Sequence, residues 1–428
     1  MVSMCDVCCN AFNKTNHKKV SCSFCDLVVC RCCCQTYLLS TMEDAHCMGC
    51  KTRWDRQFVD SWCTKVFRNT EFRRHREYVL FEREKALFPE TQPDVERILK
   101  MRDLRVLIQD LRARLIQMYH RYRVPIPVRD ESHFDRHADL RELHELYTNH
   151  LIEYEELRTG YGVAETEQRR FMRKCSTAMC KGFLDESWYC GICRNTFCAS
   201  CNELVAEGHA CDPDAVQTME LLKKDTKPCP KCGEMIQKLS GCSQMWCPSC
   251  HTAFDWRNGV IELGRIHNPH YIEFQRRHNT LNRENGDIPC GGLPSYRELR
   301  EHDAQCHDLL QLRMTLMRIE GELTWRWQDR PVDNRYLRIK YMLNEIDEET
   351  FKNELQKRDK QHAKAQDVAH ILRMFLDTCA DELRQYVLGK TPQNVRAIVV
   401  PLIDYTNEII TTIHKRYNCV TPYHIEKI

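Results

Sequence analysis

The sequence predicts a mixed fold class in which small α+β modules, rich in cysteine, are joined and flanked by predominantly α-helical segments. The chain has 428 residues and 28 cysteines. Twelve cysteines fall within residues 5–63 and twelve within residues 175–250, whereas residues 64–174 contain none. The length suggests two or three domains. The two cysteine-rich blocks must therefore differ from the rest of the chain in what stabilises them.

Composition and charge exclude several classes of protein. Hydrophobic residues make up 42% and charged residues 29%, which is ordinary for a folded domain. A formal net charge of +2 gives no global field that would favour nucleic acid or membranes. The sequence lacks an apolar run of about 18 residues that would span a membrane, and its first residues do not resemble a signal peptide. We expect a cytoplasmic or nuclear protein that is not secreted and does not bind membranes.

The repeated C-x2-C pairs predict zinc sites. In a reducing compartment such pairs are typical of zinc ligands. A disulfide framework is the alternative, but the size of the chain and the missing signal peptide argue against it. A structural zinc ion takes four thiolate or imidazole ligands, so two pairs hold one ion, and ligand counting gives about five ions.

Residues 1–63 form the first predicted zinc domain. They contain four pairs, enough for two ions: Cys5/Cys8, Cys22/Cys25, Cys30/Cys33 and Cys47/Cys50. Spacing alone does not say which pairs share an ion. The short gap between the second and third pairs resembles a RING finger, and this resemblance implies interleaved pairs. One ion would then bind Cys5, Cys8, Cys30 and Cys33, and the other would bind Cys22, Cys25, Cys47 and Cys50.

The register of the third pair stays open, because Cys32, Cys33 and Cys34 are adjacent. With Cys33 as the ligand, the surplus cysteines are expected to be buried or free thiols: Cys9, Cys32, Cys34 and Cys63. The RING resemblance also implies a docking surface for a ubiquitin-conjugating enzyme. Its candidate apolar contacts are Val7 and Met48, one on each zinc loop.

Residues 64–174 are predicted to be a helical insert. Apolar residues recur at three- and four-residue steps on one face up to Tyr122, among them Leu104, Leu107, Ile108, Leu111, Leu115, Met118 and Tyr119. A second helix is expected over residues 132–157. Residues 97–123 carry eight lysines or arginines against two aspartates. Such a basic helix could meet nucleic acid, an anionic surface or an acidic partner, or it could simply present a solvated face.

Residues 175–215 contain seven cysteines and one histidine in an order that resembles the in-between-RING (IBR) domain. The resemblance implies that the ligands of each ion follow one another along the chain. One ion would bind Cys175, Cys180, Cys190 and Cys193. The other would bind Cys198, Cys201, His209 and Cys211.

Residues 225–270 resemble the second RING (RING2) of the same proteins. The motifs are Cys229-Pro230-Lys231-Cys232, Gly241-Cys242-Ser243-Gln244-Met245, Cys247-Pro248-Ser249-Cys250 and Phe254-Asp255-Trp256. Three modules thus follow in the order found in RING–between-RING–RING (RBR) E3 ubiquitin ligases. The overall pattern resembles versions encoded by large DNA viruses of eukaryotes.

One cysteine of this segment is left over. Cys229, Cys232, Cys247 and Cys250 complete one tetrahedral zinc site. The resemblance implies that Cys242 is the nucleophile, which accepts ubiquitin from a conjugating enzyme as a thioester and passes it to a lysine of an unknown protein substrate. His251 is a candidate base, since Gln244 stands where many family members have histidine. The alternative is that Cys242 is a packed thiol in a zinc fold without activity.

The sequence departs from the family at the expected second ion of this module. Asp255 and Asn258 stand where the family has cysteine ligands. The second ion is therefore expected to be missing or to be bound by other residues. His267, His270 and Cys290 are the candidates for a rebuilt site.

Residues 295–428 are predicted to be a helical C-terminal domain. A helix is expected to open at Asp347, an apolar face follows over residues 368–387, and Pro392 and Pro401 are expected to end the pattern. Trp325 and Trp327 are expected to be core or interface residues.

Three functions remain open at this point. The leading hypothesis is an RBR-like E3 ubiquitin ligase whose partners are a ubiquitin-conjugating enzyme and ubiquitin. The second is a non-enzymatic zinc scaffold, such as a viral structural or transcription-associated protein, which the changes at Asp255 and Asn258 favour. The third is a zinc protein that binds nucleic acid, and it depends on the basic helix alone.

Overall fold

Helices and short hairpins alternate along the chain in the computed structural model. The structure describes residues 4–124, 137–159, 171–206, 208–237, 244–247, 250, 252–262, 293–302, 307–327, 332–389, 395–417 and 423–426. In these residues, two-stranded antiparallel sheets and turns lie at the cysteine clusters, and the long elements are helices. The predicted mixed fold class is confirmed.

The amino-terminal half begins with a hairpin and continues as helices. Its elements are β1 (Lys19–Ser21), β2 (Val28–Cys30), α1 (Arg31–Ser40), α2 (Arg56–Trp62), α3 (Lys65–Asn69), α4 (Glu71–Lys85), α5 (Phe88–Tyr122) and α6 (Ala138–Thr159). In the hairpin, Val20 lies opposite Val29. Both valines are buried with Leu38, Trp54 and Trp62, so the first module (residues 4–63) has a small apolar core beside its cysteines.

The described residues in the middle of the chain form three short hairpins and one helix. Its elements are β3 (Arg173–Lys174), β4 (Phe183–Leu184), α7 (Pro213–Asp225), β5 (Thr226–Pro228), β6 (Met235–Gln237), β7 (Gln244–Trp246) and β8 (Ala253–Asp255). Strand β3 pairs with β4, β5 with β6, and β7 with β8. We call residues 171–211 the second module and residues 226–262 the third module.

The carboxy-terminal part is helical. Its elements are α8 (Tyr296–His302), α9 (His307–Trp325), α10 (Arg335–Met342), α11 (Glu348–Val387) and α12 (Val395–Arg416). The carboxylate of Asp347 accepts the N–H of Thr350 at 2.8 Å, as an N-cap does. Helix α12 runs through Pro401 instead of ending there. The described helices include none that is long and apolar enough to cross a membrane.

By its internal contacts the chain divides into two units. Unit 1 comprises residues 1–77, 275–333 and 352–428, and unit 2 comprises residues 78–274 and 334–351. Unit 1 therefore combines the first module with the carboxy-terminal helices, although residues 78–274 separate them in sequence. No periodicity or motif indicates this association.

The core of unit 1 lies among α9, α11 and α12. These helices bury apolar side chains on facing sides, including Leu316, Ile319, Leu372, Phe375, Ile403 and Ile410. Trp327 belongs to this core, whereas the side chain of Trp325 is 82% exposed. Of the two tryptophans that were expected in a core or an interface, Trp327 is therefore buried in a core and Trp325 is not.

Polar contacts connect the first module to the carboxy-terminal helices within unit 1. Arg76 lies between two carboxylates and pairs with Asp44 at 2.5 Å and with Asp359 at 2.8 Å. These carboxylates hold the pKa of the Arg76 guanidinium above its usual range against the opposing effect of burial. Arg416 donates to the side-chain amide of Gln57 at 2.9 Å. The first module is thus connected to α11 and α12 at two points, at Asp44 through Arg76 and at Gln57 directly.

Helices α5 and α6 pair antiparallel in unit 2. Tyr122 donates to Asp139 at one end of the pair, and Lys100 contacts Glu153 at 2.6 Å near the other. Of the predicted apolar face, the buried residues are Leu104, Leu111, Leu115 and Tyr119. Leu107 is 39% exposed, because a straight α-helix turns part of a long apolar stripe away from a single partner.

The second module is fixed to α5 by an amide side chain. Gln92 is 1% exposed, accepts the N–H of Phe183 at 2.6 Å and donates to the carbonyl of the same residue at 3.0 Å. The Gln92 amide therefore pairs with β4 as a neighbouring strand would. One turn later, the carboxylate of Glu96 lies where a side chain on Gly191 would be, so this glycine permits the close approach.

We expect Gln92→Ala to destabilise the attachment of the second module by about 1–3 kcal/mol, because both backbone groups of Phe183 lose a partner in a buried position. Hydrogen exchange of the Phe183 amide and urea denaturation would measure the change. Gln117→Ala is the matched control, since Gln117 lies exposed on the same helix. Equal stability of the two variants would contradict this role of Gln92.

Candidate metal centres and the third module

Five groups of four donor atoms come together in the described residues, and within each group the atoms lie within 4.8 Å of one another. The first module contains two groups, Cys5/Cys8/Cys30/Cys33 and Cys22/Cys25/Cys47/Cys50. The second contains Cys175/Cys180/Cys190/Cys193 and Cys198/Cys201/His209/Cys211, and the third contains Cys229/Cys232/Cys247/Cys250. The pairs interleave in the first module and follow in sequence in the second.

The spacing of the sulfur atoms fits a tetrahedral metal ion. In the first module, Cys5 and Cys33 are 3.9 Å apart and Cys25 and Cys47 are 3.7 Å apart. In the third module, Cys229 and Cys250 are 3.6 Å apart. A tetrahedron with zinc–sulfur bonds of about 2.3 Å has edges of about 3.8 Å, whereas bonded sulfurs in a disulfide are about 2.05 Å apart. The donor sets therefore suit a metal such as zinc and exclude disulfides at these distances.

Five of the C-x2-C pairs share one backbone turn, which we call the knuckle: Cys5/Cys8, Cys47/Cys50, Cys190/Cys193, Cys198/Cys201 and Cys229/Cys232. The N–H of the first cysteine donates to the carbonyl of the residue five positions after it. The N–H of the residue four positions after the same cysteine donates to the carbonyl of that cysteine. Cys5 and Cys9 make this turn with bonds of 3.0 and 2.9 Å. The residue after the second cysteine then has a positive φ, as at Cys9, Lys51, Arg194, Asn202 and Gly233.

Backbone N–H groups also point at the sulfur atoms. Within the C-x2-C pairs, the N–H two residues after the first cysteine donates to its Sγ, at 3.4 Å for Phe24 on Cys22 and for Gly49 on Cys47. At Cys198, the N–H groups of Cys201 and Ser200 lower the pKa of the thiol to about 6. Such N–H groups favour the thiolate, which is the form that binds metal.

The third pair of the first module has one observed register. Cys30 precedes α1 and Cys33 lies in its first turn, and both join the first group. Cys34 is buried in the module core, whereas Cys32 and Cys9 are exposed. Burial raises the pKa of the Cys63 thiol to about 12. These four cysteines belong to none of the five groups in the described residues.

The candidate contacts for a conjugating enzyme differ in exposure. Val7 lies between two ligands of the first group and is 54% exposed. Met48 lies between two ligands of the second group and is partly buried against the module core. Both positions are on knuckles, so a bound metal would fix the backbone beneath them.

Several predicted site residues in and after the third module lie outside the described residues. They are Cys242, His251, His267, His270 and Cys290. Gln244 is described on β7, where its side chain donates to Glu262. Asp255 ends β8, and Asn258 follows it at knuckle spacing. Cys229, Cys232, Cys247 and Cys250 are mutually close, so among the described residues this module has one complete donor set, and it is formed without Cys242.

Comparison with known proteins gives partial matches. No family model matches the chain. The uncharacterized protein 073L of Frog virus 3 (isolate Goorha) is 30% identical over 96 residues, 22% of this chain and 30% of that protein. Human E3 ubiquitin-protein ligase RNF144A is 33% identical over 78 residues, 16% of this chain and 27% of the ligase. Mouse E3 ubiquitin-protein ligase ARIH2 is 30% identical over 108 residues, 23% of this chain and 20% of the ligase.

These matches confirm the predicted resemblance to RBR-type E3 ubiquitin ligases and to a viral protein. The matched segments span at most 30% of the length of these three relatives. The resemblance therefore concerns a part of each relative and not its whole length.

We expect Cys30→Ser to lower the metal content of the purified chain by one ion, because it removes one of four donors from a closed site. Native mass spectrometry with zinc supplied during expression would count the ions. Cys34→Ser is the matched control, since Cys34 is equally buried in the same module but lies outside the groups. A loss in the Cys34 variant, or an unchanged count in the Cys30 variant, would contradict the observed register.

Proposed function

We propose that the chain is an E3 ubiquitin-protein ligase of the RBR type. The supporting observation is the complete four-thiol group of the third module, which is formed without Cys242. The first and second modules precede it in the order of the resembled family. The similarity to RNF144A and ARIH2, both E3 ubiquitin-protein ligases by name, supports the same activity.

In this proposal the ions are structural. The residues that would hold zinc are the five groups described above, and each supplies four protein donors, so that no coordination position is left for water. Zinc would fix the knuckles of modules that have few apolar residues to bury. All covalent chemistry would belong to Cys242.

The proposed reaction has two transfers. The thiolate of Cys242 attacks the ubiquitin thioester carried by the conjugating enzyme, forms a new thioester and releases the thiolate of that enzyme. A lysine amine of the substrate then attacks the Cys242 thioester. An isopeptide bond forms, the Cys242 thiolate leaves, and the amine loses its proton to a base. His251 is the proposed base for this second step.

Docking of the conjugating enzyme is proposed for the knuckles of the first module. Val7 offers an exposed apolar side chain there, and Met48 lies on the other zinc loop, directly after Cys47. Apolar anchors on a rigid support are typical of protein interfaces.

The two other functions receive less support. The basic helix α5 packs along α6, which carries six acidic and two basic residues within Ala138–Thr159. Part of the positive charge is thus matched within the chain, as in the pair of Lys100 with Glu153. A zinc scaffold without activity shares every described group with the ligase, and Cys242 is the residue that separates the two proposals.

We expect Cys242→Ser to replace the reductant-sensitive ubiquitin adduct by a reductant-resistant one, and Cys242→Ala to abolish the adduct, because only a thiol forms a thioester. Charged conjugating enzymes mixed with the full chain, followed by electrophoresis with and without reductant, would show this. Cys63→Ser serves as the control. An adduct in Cys242→Ala, or none in the parent chain with any conjugating enzyme, would refute the proposed mechanism.

We expect Val7→Arg to slow loading of Cys242 about tenfold or more, because a charge replaces an apolar anchor at the proposed docking surface. Release of ubiquitin from preloaded chain to free lysine should not change. Val66→Arg is the matched control, because Val66 is 72% exposed on α3 of the same unit. Equal loading rates in both variants would place the docking surface elsewhere.

A further inference from the structure

The third module contains a knuckle without cysteines. The N–H of Asp255 donates to the carbonyl of Val260 at 2.9 Å, and the N–H of Gly259 donates to the carbonyl of Asp255 at 2.8 Å. Gly259 has φ +69°, in the left-handed region. The same two bonds and the same positive φ occur at Cys5 and Cys9, so residues 255–260 repeat the backbone of the cysteine knuckles.

Side-chain oxygen atoms take the place of the sulfurs as hydrogen-bond acceptors. The Asp255 Oδ1 accepts the N–H of Arg257 at 2.6 Å, and the Asn258 Oδ1 accepts the N–H of Val260 at 3.0 Å. In the cysteine knuckles, the N–H two residues later donates to Sγ in the same way. Asp255 and Asn258 therefore reproduce the internal bonds of the turn with their own side chains.

The electrostatic surroundings of this knuckle do not suit a cation. The Arg257 guanidinium lies 3.7 Å from Asp255 Oδ2. The ammonium of Lys227 donates to the backbone carbonyls of Trp256 at 2.8 Å and Arg257 at 3.4 Å. One side-chain cation thus lies beside the Asp255 carboxylate and a second binds the backbone of the same turn, so the turn already carries positive charge where a metal would bring more.

We infer that this knuckle is a metal-independent turn, and that the third module holds one ion where the resembled family has two. The donors at Asp255 and Asn258 do not fit a second zinc site, because the Arg257 guanidinium lies beside the Asp255 carboxylate and structural zinc sites use sulfur and nitrogen donors, which neither residue supplies as its acceptor atom. The hydrogen-bonded turn supplies the local order that a second ion supplies in the family. This inference does not depend on ligase activity.

Metal counting on the full chain, combined with hydrogen exchange, tests the inference. The variants are Asp255→Ala, Asp255→Asn and Asn258→Ala, and Cys250→Ser is the positive control that removes a donor of the third-module group. Asparagine keeps the Oδ1 acceptor and removes only the charge. Native mass spectrometry would count the ions, and exchange of the Arg257 and Val260 amides would report on the turn.

We expect five ions in the parent chain and in all three turn variants, and four in Cys250→Ser. Exchange of the Arg257 amide should rise about fivefold in Asp255→Ala, from the loss of one hydrogen bond, and should return toward the parent rate in Asp255→Asn. Exchange of the Val260 amide should rise similarly in Asn258→Ala. A sixth ion in the parent chain, or a lost ion in any turn variant, would overturn the inference. Unchanged exchange in both alanine variants would also overturn it.

Discussion

The convergence of sulfur donors is the constraint on which the three small modules depend. Each hairpin has only two or three residues per strand, too few to bury much apolar surface. Thiols packed 3.5–3.9 Å apart must share protons or a cation, and a bound metal turns their clustering into folding free energy. The knuckle positions the backbone for this arrangement, and the larger apolar cores lie elsewhere in the chain.

Much of this arrangement could be predicted from the sequence, because ligand spacing is a local property. A C-x2-C pair needs one tight turn, and every pair proposed from spacing contributes to a four-donor group. The register around Cys32 could not be decided in that way, since three adjacent cysteines satisfy similar spacings. It depends on where α1 begins, and a start at Arg31 puts Cys33 in its first turn and Cys34 toward the core.

Contacts between segments that are far apart in the sequence have no local sequence pattern from which they could be predicted. Gln92 pairs with Phe183 through an amide that also occurs on solvated faces, and Arg76 pairs with Asp359 across 283 positions. The helix through Pro401 shows the limit of a local rule, because burial of Val399 and Ile403 on either side keeps the helix continuous despite the missing N–H. The turn at Asp255 shows the reverse case. It keeps the knuckle backbone although Asp255 and Asn258 stand where the resembled family has cysteine ligands.

Two contacts between early and late parts of the chain have a consequence for its synthesis. Arg76 joins Asp44 to Asp359, and Gln57 binds Arg416 directly. The first 77 residues emerge from the ribosome well before the helices that complete the same unit have been synthesised. At translation rates of about 5–20 residues per second, the early segment spends roughly 15 to 70 seconds without its later neighbours. The order of assembly is thus opposite to the usual one, in which amino-terminal domains finish first, and a chaperone has that interval in which to act.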